Sequence, residues 1–92
     1  MTKTEIKNKL NETFLILIQE TNVDLFNKHR QDFLNVVSEI KLSNTSTLES
    51  QIDIFNLTCD EYISKGFNTT AKQLLFGDFE MFLVTVDECL ID

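Results

Sequence analysis

Residues that could carry out nucleophilic or acid–base chemistry are scarce in this chain. It has one histidine, His29, and two cysteines, Cys59 and Cys89. A Ser/His/Asp or Cys/His arrangement would therefore have to use His29. That residue lies three positions after Phe26 and four before Phe33, on the apolar side of a predicted helix. This position favours a half-buried histidine with a backbone partner over a catalytic base. We expect no enzyme and no catalytic residue.

The sequence also contains no pattern that is typical of a metal or cofactor site. The two cysteines form no CxxC pair and both fall on predicted core faces, as small buried thiols usually do. The two glycines, Gly66 and Gly77, are too far apart for a phosphate-binding loop. A calcium loop needs closely spaced oxygen ligands around a glycine, which the chain does not provide. The sequence predicts no cofactor and no metal.

The acidic residues are unevenly distributed. Residues 1–46 contain six acids and six bases, whereas residues 47–92 contain nine acids and two bases, so the second half carries the whole net charge of −7. Such a one-sided field steers basic partners and repels acidic ones. The one dense basic cluster contains Lys28 and Arg30, and Lys28 can pair with Asp24 or Asp32 at helical spacing. We expect no direct binding of nucleic acid.

The acids of the second half fall on two predicted helices at helical spacing. On the later helix Asp78, Thr85, Glu88 and Asp92 would form one polar stripe, with Glu80 and Asp87 beside it. Met81 falls on this stripe and should therefore be exposed. An exposed methionine among carboxylates is typical of an interface. The alternative is that this surface only keeps a small protein soluble. The predicted partner-binding residues are Glu49, Asp53, Asp60, Asp78, Glu80, Met81, Asp87 and Glu88.

Composition predicts an all-α protein, a small antiparallel bundle of four to five helices in a single domain over residues 1–92. The chain has no proline and only two glycines, which favours helices over strands and tight turns. Thr2 and Ser46 each begin a capping box, and Asn22 is a predicted N-cap for a second helix over residues 23–41. A polar break is expected at residues 42–45. The first helix carries surplus apolar residues outside its stripe, which are Leu15, Ile16 and Ile18. The predicted core residues are Ile6, Leu10, Phe14, Leu17, Phe26, His29, Phe33, Val36, Val37, Ile40, Leu48, Ile52, Phe55, Cys59, Tyr62, Ile63, Phe79, Phe82, Leu83, Val86 and Leu90.

The last third of the chain is harder to assign. Gly66 and Phe67 predict a Schellman end to the third helix. Residues 68–70, Asn-Thr-Thr, are expected to cap a short helix over residues 71–76, Gly77 and Asp78 to interrupt it, and Asp78 to cap a final helix to about residue 91. Residues 81–86 also have high β propensity. Because no other segment is predicted as a strand, we expect helix there.

The expected function is binding. No apolar leader is evident and the longest apolar run, residues 14–18, is too short to span a bilayer, so we expect a cytoplasmic protein away from membranes. Its predicted role is to inhibit or neutralise a basic protein whose surface normally meets nucleic acid. Immunity proteins, antitoxin-like inhibitors and phage counter-defence proteins share this size and charge. Nine acids could also imitate phosphates in part, as a partial DNA mimic.

Two alternatives stay open at this level. The chain could be a homo-oligomeric small-ligand or nucleotide binder that uses Lys28, Arg30 and the N-terminal lysines at a subunit interface. The surplus apolar surface of the first helix motivates that alternative. The chain could also be a structural subunit of a larger assembly.

Overall fold

The computed structural model describes residues 2–40 and 45–89, except for the side chains of residues 45 and 89. These residues form four helices and no strand: α1 (Lys3–Ile18), α2 (Val23–Ser38), α3 (Thr45–Ser64) and α4 (Thr69–Cys89). The start of α1 lies beside the end of α4. On α2, Phe26 contacts Tyr62 near the end of α3, and the later Phe33 contacts Phe55 in the middle of α3, so these two helices run in opposite directions. The predicted all-α antiparallel bundle is therefore confirmed, with four helices.

Two of the four helices begin at the predicted N-cap residue, and in the predicted capping segment 68–70 the cap is Asn68, so α4 begins at Thr69, two residues earlier than predicted. Thr2, Asn22 and Asn68 each accept a hydrogen bond through a side-chain oxygen from the backbone N–H three residues later, at 3.2, 3.1 and 2.8 Å. Each bond satisfies an N–H that has no partner within its helix. The predicted start of α3 is wrong, since the helix already includes Thr45 and Ser46 lies in its first turn. Most of the predicted break at 42–45 lies outside the described residues.

The end of α3 is the predicted Schellman motif. The backbone N–H of Phe67 donates to the carbonyl of Tyr62 at 2.8 Å, and that of Gly66 donates to the carbonyl of Ile63 at 3.1 Å. Both Gly66 and Phe67 have positive φ, at +68° and +60°. The Phe67 ring meets Tyr62 edge-on at a centroid distance of 5.0 Å, the apolar contact that accompanies this motif. This packing offsets the cost of placing a bulky residue in the left-handed region.

The predicted interruption of the last helix is wrong. Helix α4 continues through Gly77 and Asp78 without a break, so Asp78 lies inside a helix rather than at a cap. A helical glycine costs about 1 kcal/mol relative to alanine, but Leu75, Phe79 and Phe82 are buried on either side of it. The packing of these side chains outweighs the local preference. Residues 79–86 are helical, as expected.

The core is centred on an aromatic cluster that includes all four helices. Phe33 of α2 contacts the rings of Phe14, Phe55, Phe79 and Phe82 at centroid distances between 4.9 and 6.2 Å. All five rings are buried, which confirms their predicted place in the core.

The predicted core differs from the observed one at its edges. His29 is half-buried as expected, but its ring nitrogens lie 3.8 and 3.9 Å from the carboxylates of Glu20 and Asp32. Ile18, predicted as surplus apolar surface, is buried, and Leu90 lies outside the described residues. The predicted core residues that are only half-buried, besides His29, are Val36, Ile52, Ile63 and Leu83. The buried residues that the stripes missed are Ala71, Leu75 and Thr85.

The two glycines offer a matched test of backbone conformation. A Cβ at either position would meet no atom within 4 Å, so only φ distinguishes them. Gly77→Ala should raise the free energy of unfolding by about 0.5–1 kcal/mol because alanine suits a helix interior. Gly66→Ala should lower it by about 1–2 kcal/mol because alanine is strained at positive φ. Urea unfolding measures both; effects of equal sign would contradict this assignment.

Truncation of Phe33 tests the aromatic cluster. Phe33→Ala should cost about 3–5 kcal/mol, a large part of the roughly 5–10 kcal/mol expected for a domain of this size. Phe76→Ala is the control, because Phe76 is exposed and has one ring contact, with Phe14. That change should cost about 1 kcal/mol. Thermal unfolding followed by circular dichroism compares the two variants, and equal losses would show that Phe33 is not central.

Candidate protein-binding surface

Two of the predicted partner-binding acids form ion pairs within the fold. The Asp60 carboxylate on α3 lies 2.8 Å from the Arg30 guanidinium on α2. Asp87 on α4 lies 3.0 Å from Lys7 on α1, and its backbone carbonyl accepts a hydrogen bond from Lys3 at 2.9 Å. Sequence spacing reveals pairs within one helix, and these pairs join different helices. Asp60 and Asp87 therefore connect the α1–α2 and α3–α4 hairpins, and both side chains stay exposed.

Four other predicted acids stay unpaired. Glu49 and Asp53 on α3 and Glu80 and Glu88 on α4 are exposed, and none of them forms an ion pair within residues 2–40 and 45–89. By contrast, the bases Lys7, Lys9 and Arg30 of the first hairpin all have acidic partners. Unbalanced negative charge is thus concentrated on the surface of the α3–α4 hairpin.

Asp78 and Thr85 do not face solvent as predicted. Thr85 is only 4% exposed, and its hydroxyl donates to Gln51 Oε1 at 2.9 Å. Asp78 is half-buried, and its Oδ2 atom is buried with no hydrogen-bond partner. The physical reason is that α4 packs against both α1 and α3, so two sides of the helix are covered. The stripe that contains Asp78 and Thr85 is the side that meets α3.

Between these two helices lies a small groove that the sequence did not reveal. Gln51 and Ile54 of α3 and Asp78 and Met81 of α4 line a cavity of about 100 Å³. Gln51 Nε2 donates to the carbonyl of Met81 at 3.5 Å. Met81 is 52% exposed, which confirms its predicted exposure, and Ile54 is 53% exposed. We call this site the α3–α4 groove. Ile54, an apolar residue outside the core stripe of α3, was the available signal.

The alternative anion site around Arg30 is a second, more open groove of about 440 Å³ between α2 and α3. The Arg30 guanidinium donates to Asn27 Oδ1 at 2.6 Å, to Asp60 Oδ1 at 2.8 Å and to the carbonyl of Asn56 at 3.4 Å. Its charge is therefore already balanced by a carboxylate. The residues that line this groove are Asn27, Arg30, Gln31, Leu34, Asn56 and Asp60.

The other bases proposed for that anion site lie elsewhere. Lys28 is exposed and does not line the groove, and the predicted pairing with Asp24 or Asp32 is wrong, since no such contact occurs in the described residues. Lys3 and Lys7 lie at the end of α4. Within one copy of the chain, the described bases therefore do not converge on one anion site.

Cys59 is a buried core thiol, as predicted. Burial raises its pKa to about 12; the Asp60 and Asp78 carboxylates act in the same direction and Arg30 opposes them. A protonated thiol is a poor nucleophile and metal ligand. In the described part of the chain, no three His, Cys, Asp or Glu side chains converge on a potential metal position, and no helix could cross a bilayer. The side chain of Cys89 lies outside the described residues.

The raised pKa of Cys59 predicts a loss of stability in alkaline solution. In the unfolded chain this thiol ionises near pH 8.5, whereas in the folded chain it stays protonated until about pH 12. Between these values the unfolded state binds fewer protons, so the free energy of unfolding should fall as pH rises, by up to about 1.4 kcal/mol per pH unit.

Cys59→Ala provides the comparison. The variant retains Tyr62, whose pKa burial also raises, so the difference between the two chains isolates Cys59. Urea titrations between pH 8 and pH 10 should show a shallower decline in the variant. Parallel declines would mean that Cys59 is not protected in the folded state.

Three comparisons with known proteins were made. The chain matches no protein-family model, no curated protein and no solved structure. A function for the chain therefore has to be inferred from the charges, cavities and contacts described above.

Proposed function

We propose that this chain is a small acidic intracellular module that binds a basic surface on another protein and inhibits or neutralises it. The observation that carries the proposal is the group of four unpaired acids on the α3–α4 hairpin: Glu49, Asp53, Glu80 and Glu88. The proposed partner is a protein whose basic surface normally binds nucleic acid. No cofactor takes part.

Electrostatics supports this kind of partner. Unpaired like charges on adjacent helices repel each other, and a basic partner relieves that repulsion on binding. The field of the hairpin also speeds diffusional encounter with a basic surface. Lys7, Lys9 and Arg30 are paired with acids, whereas Lys28 has no acidic partner in the described residues, so pairing removes part of the positive charge that would screen this field.

Imitation of nucleic acid is only a part of this proposal. Asp60 and Asp87 are held by Arg30 and Lys7, which leaves fewer acids to stand in for phosphates. Charge provides attraction and orientation, while apolar contacts have to supply much of the specificity.

Charge reversal on the α3–α4 hairpin tests the proposal. The basic partner is retained from an extract of the native host on the immobilised chain, purified, and recombined with each variant. Glu49→Lys with Asp53→Lys, or Glu80→Lys with Glu88→Lys, should weaken binding about tenfold, equivalent to about 1.4 kcal/mol. The fold should persist because repulsion falls. Titration calorimetry measures the affinity, and added salt should weaken the parent's binding in the same way.

The matched control reverses two acids of the other hairpin. Glu5 and Glu12 on α1 are exposed and have no ion pair in the described residues, so Glu5→Lys with Glu12→Lys makes the same change in net charge. An equal loss from this control would show general attraction and contradict a specific surface. The parent chain should also displace nucleic acid from the purified partner; persistence of that complex would reject the neutralising role.

A further inference from the structure

One carboxylate oxygen of Asp78 has no hydrogen-bond partner among the described residues. Its Oδ2 atom is buried and accepts no hydrogen bond, and no base pairs with it in the described part of the chain. A buried carboxylate oxygen without a donor is unfavourable. The nearby polar side chains, Gln51 and Thr85, are hydrogen-bonded to each other. Within the described residues the Asp78 carboxylate, which lines the α3–α4 groove, therefore has no cation of its own.

The surroundings of Asp78 are apolar and exposed. Ile54 and Met81 line the same cavity and are each about half exposed. Leu74 lies seven residues before Met81 on α4 and Glu88 lies seven residues after it. The three residues therefore share one face of the helix, with an apolar side chain before Met81 and an unpaired acid after it. Other large apolar side chains exposed on these two helices are Leu57, Phe76 and Val84.

We propose that the α3–α4 groove receives a basic amphipathic helix of the partner and that one Lys or Arg side chain of that helix binds Asp78. The proposal rests on the proposed function and identifies its anchoring contact. The apolar side of the incoming helix would cover Ile54 and Met81, which is the usual mode of helix-in-groove recognition. The aliphatic stem of the Lys or Arg would lie along the same side chains while its charged end meets the carboxylate of Asp78, which lines the cavity.

Charge and cavity volume favour a basic helix over two other occupants. A second copy of the chain would bring Glu80 and Glu88 toward another acidic hairpin, so like charges would oppose that contact. A free small molecule normally occupies a pocket of roughly 300–1,000 Å³, and the cavity here is about 100 Å³. That volume suits the end of one side chain.

The test uses synthetic peptides and the full chain. One peptide of Leu, Ala and Lys forms an amphipathic helix; a second has the same composition in scrambled order; a third replaces Lys by Gln. A nuclear magnetic resonance titration with the first peptide should perturb Gln51, Ile54, Asp78 and Met81. Asp78→Asn should weaken its binding about tenfold, while the scrambled and Gln peptides bind weakly. A version with Arg in place of Lys determines which cation the site prefers.

Glu12→Gln is the matched control because it removes one charge from an exposed residue of α1 that does not line the groove. Its effect on peptide affinity should stay below about threefold. The melting temperature of free Asp78→Asn should equal or exceed that of the parent, since the half-buried side chain no longer carries an unpaired charge. Opposite signs for stability and binding would exclude a purely structural role for Asp78.

Several results would overturn the inference. These are equal effects of Asp78→Asn and Glu12→Gln, equal binding of the Gln or scrambled peptide, or perturbations confined to α1 and α2. Concentration-dependent self-association through the groove would favour a second copy instead. The charge reversals on α3 and α4 could weaken binding to the host partner while Asp78→Asn leaves the affinity unchanged. That result would support the proposed function and reject Asp78 as the anchoring residue.

Discussion

Phe33 connects the two helical hairpins through direct ring contacts. Its ring meets Phe14 of α1, Phe55 of α3, and Phe79 and Phe82 of α4. Aromatic side chains bury large apolar areas and favour edge-on geometries, so one cluster of this kind fixes both the separation and the relative rotation of its helices. The polar contacts between the hairpins depend on that placement, because charged side chains at the surface cannot hold two helices in position alone.

Electrostatics then divides the acids of the second half into two groups. Asp60 and Asp87 meet bases of the first hairpin at the α2–α3 and α4–α1 edges of the bundle. Glu49, Asp53, Glu80 and Glu88 have no such partner in the described residues. Part of the acidic excess in the second half therefore joins the two hairpins, and the rest lies unpaired on the surface of the described residues.

Local signals were sufficient to predict much of the fold. Thr2, Asn22 and Asn68 are N-caps and Gly66 is a C-terminal cap because these roles depend on residues within one turn. The apolar stripes located most of the core for the same reason. At Gly77 the local rule was wrong, since tertiary packing of the flanking side chains decides whether a helix tolerates glycine.

The candidate site was less predictable because it depends on how helices pack. The exposure of Met81 followed from its position on the helix, but the burial of Asp78 did not, since α3 covers it only in the folded bundle. The pairs Arg30–Asp60 and Lys7–Asp87 span 30 and 80 residues of sequence. Paired residues that lie so far apart in the sequence, on different helices, leave no spacing pattern in a single sequence.

The connections within each hairpin have a kinetic consequence. Residues 19–22 join α1 to α2 and residues 65–68 join α3 to α4, so each pair of antiparallel helices closes a loop of only four residues. Loop-closure entropy is small for such short links, and proteins dominated by contacts between nearby residues reach the native state in microseconds to milliseconds. Each hairpin can therefore form early, and docking of one hairpin on the other around Phe33 becomes the slower event. The opposite charges at their edges favour encounters in the native orientation.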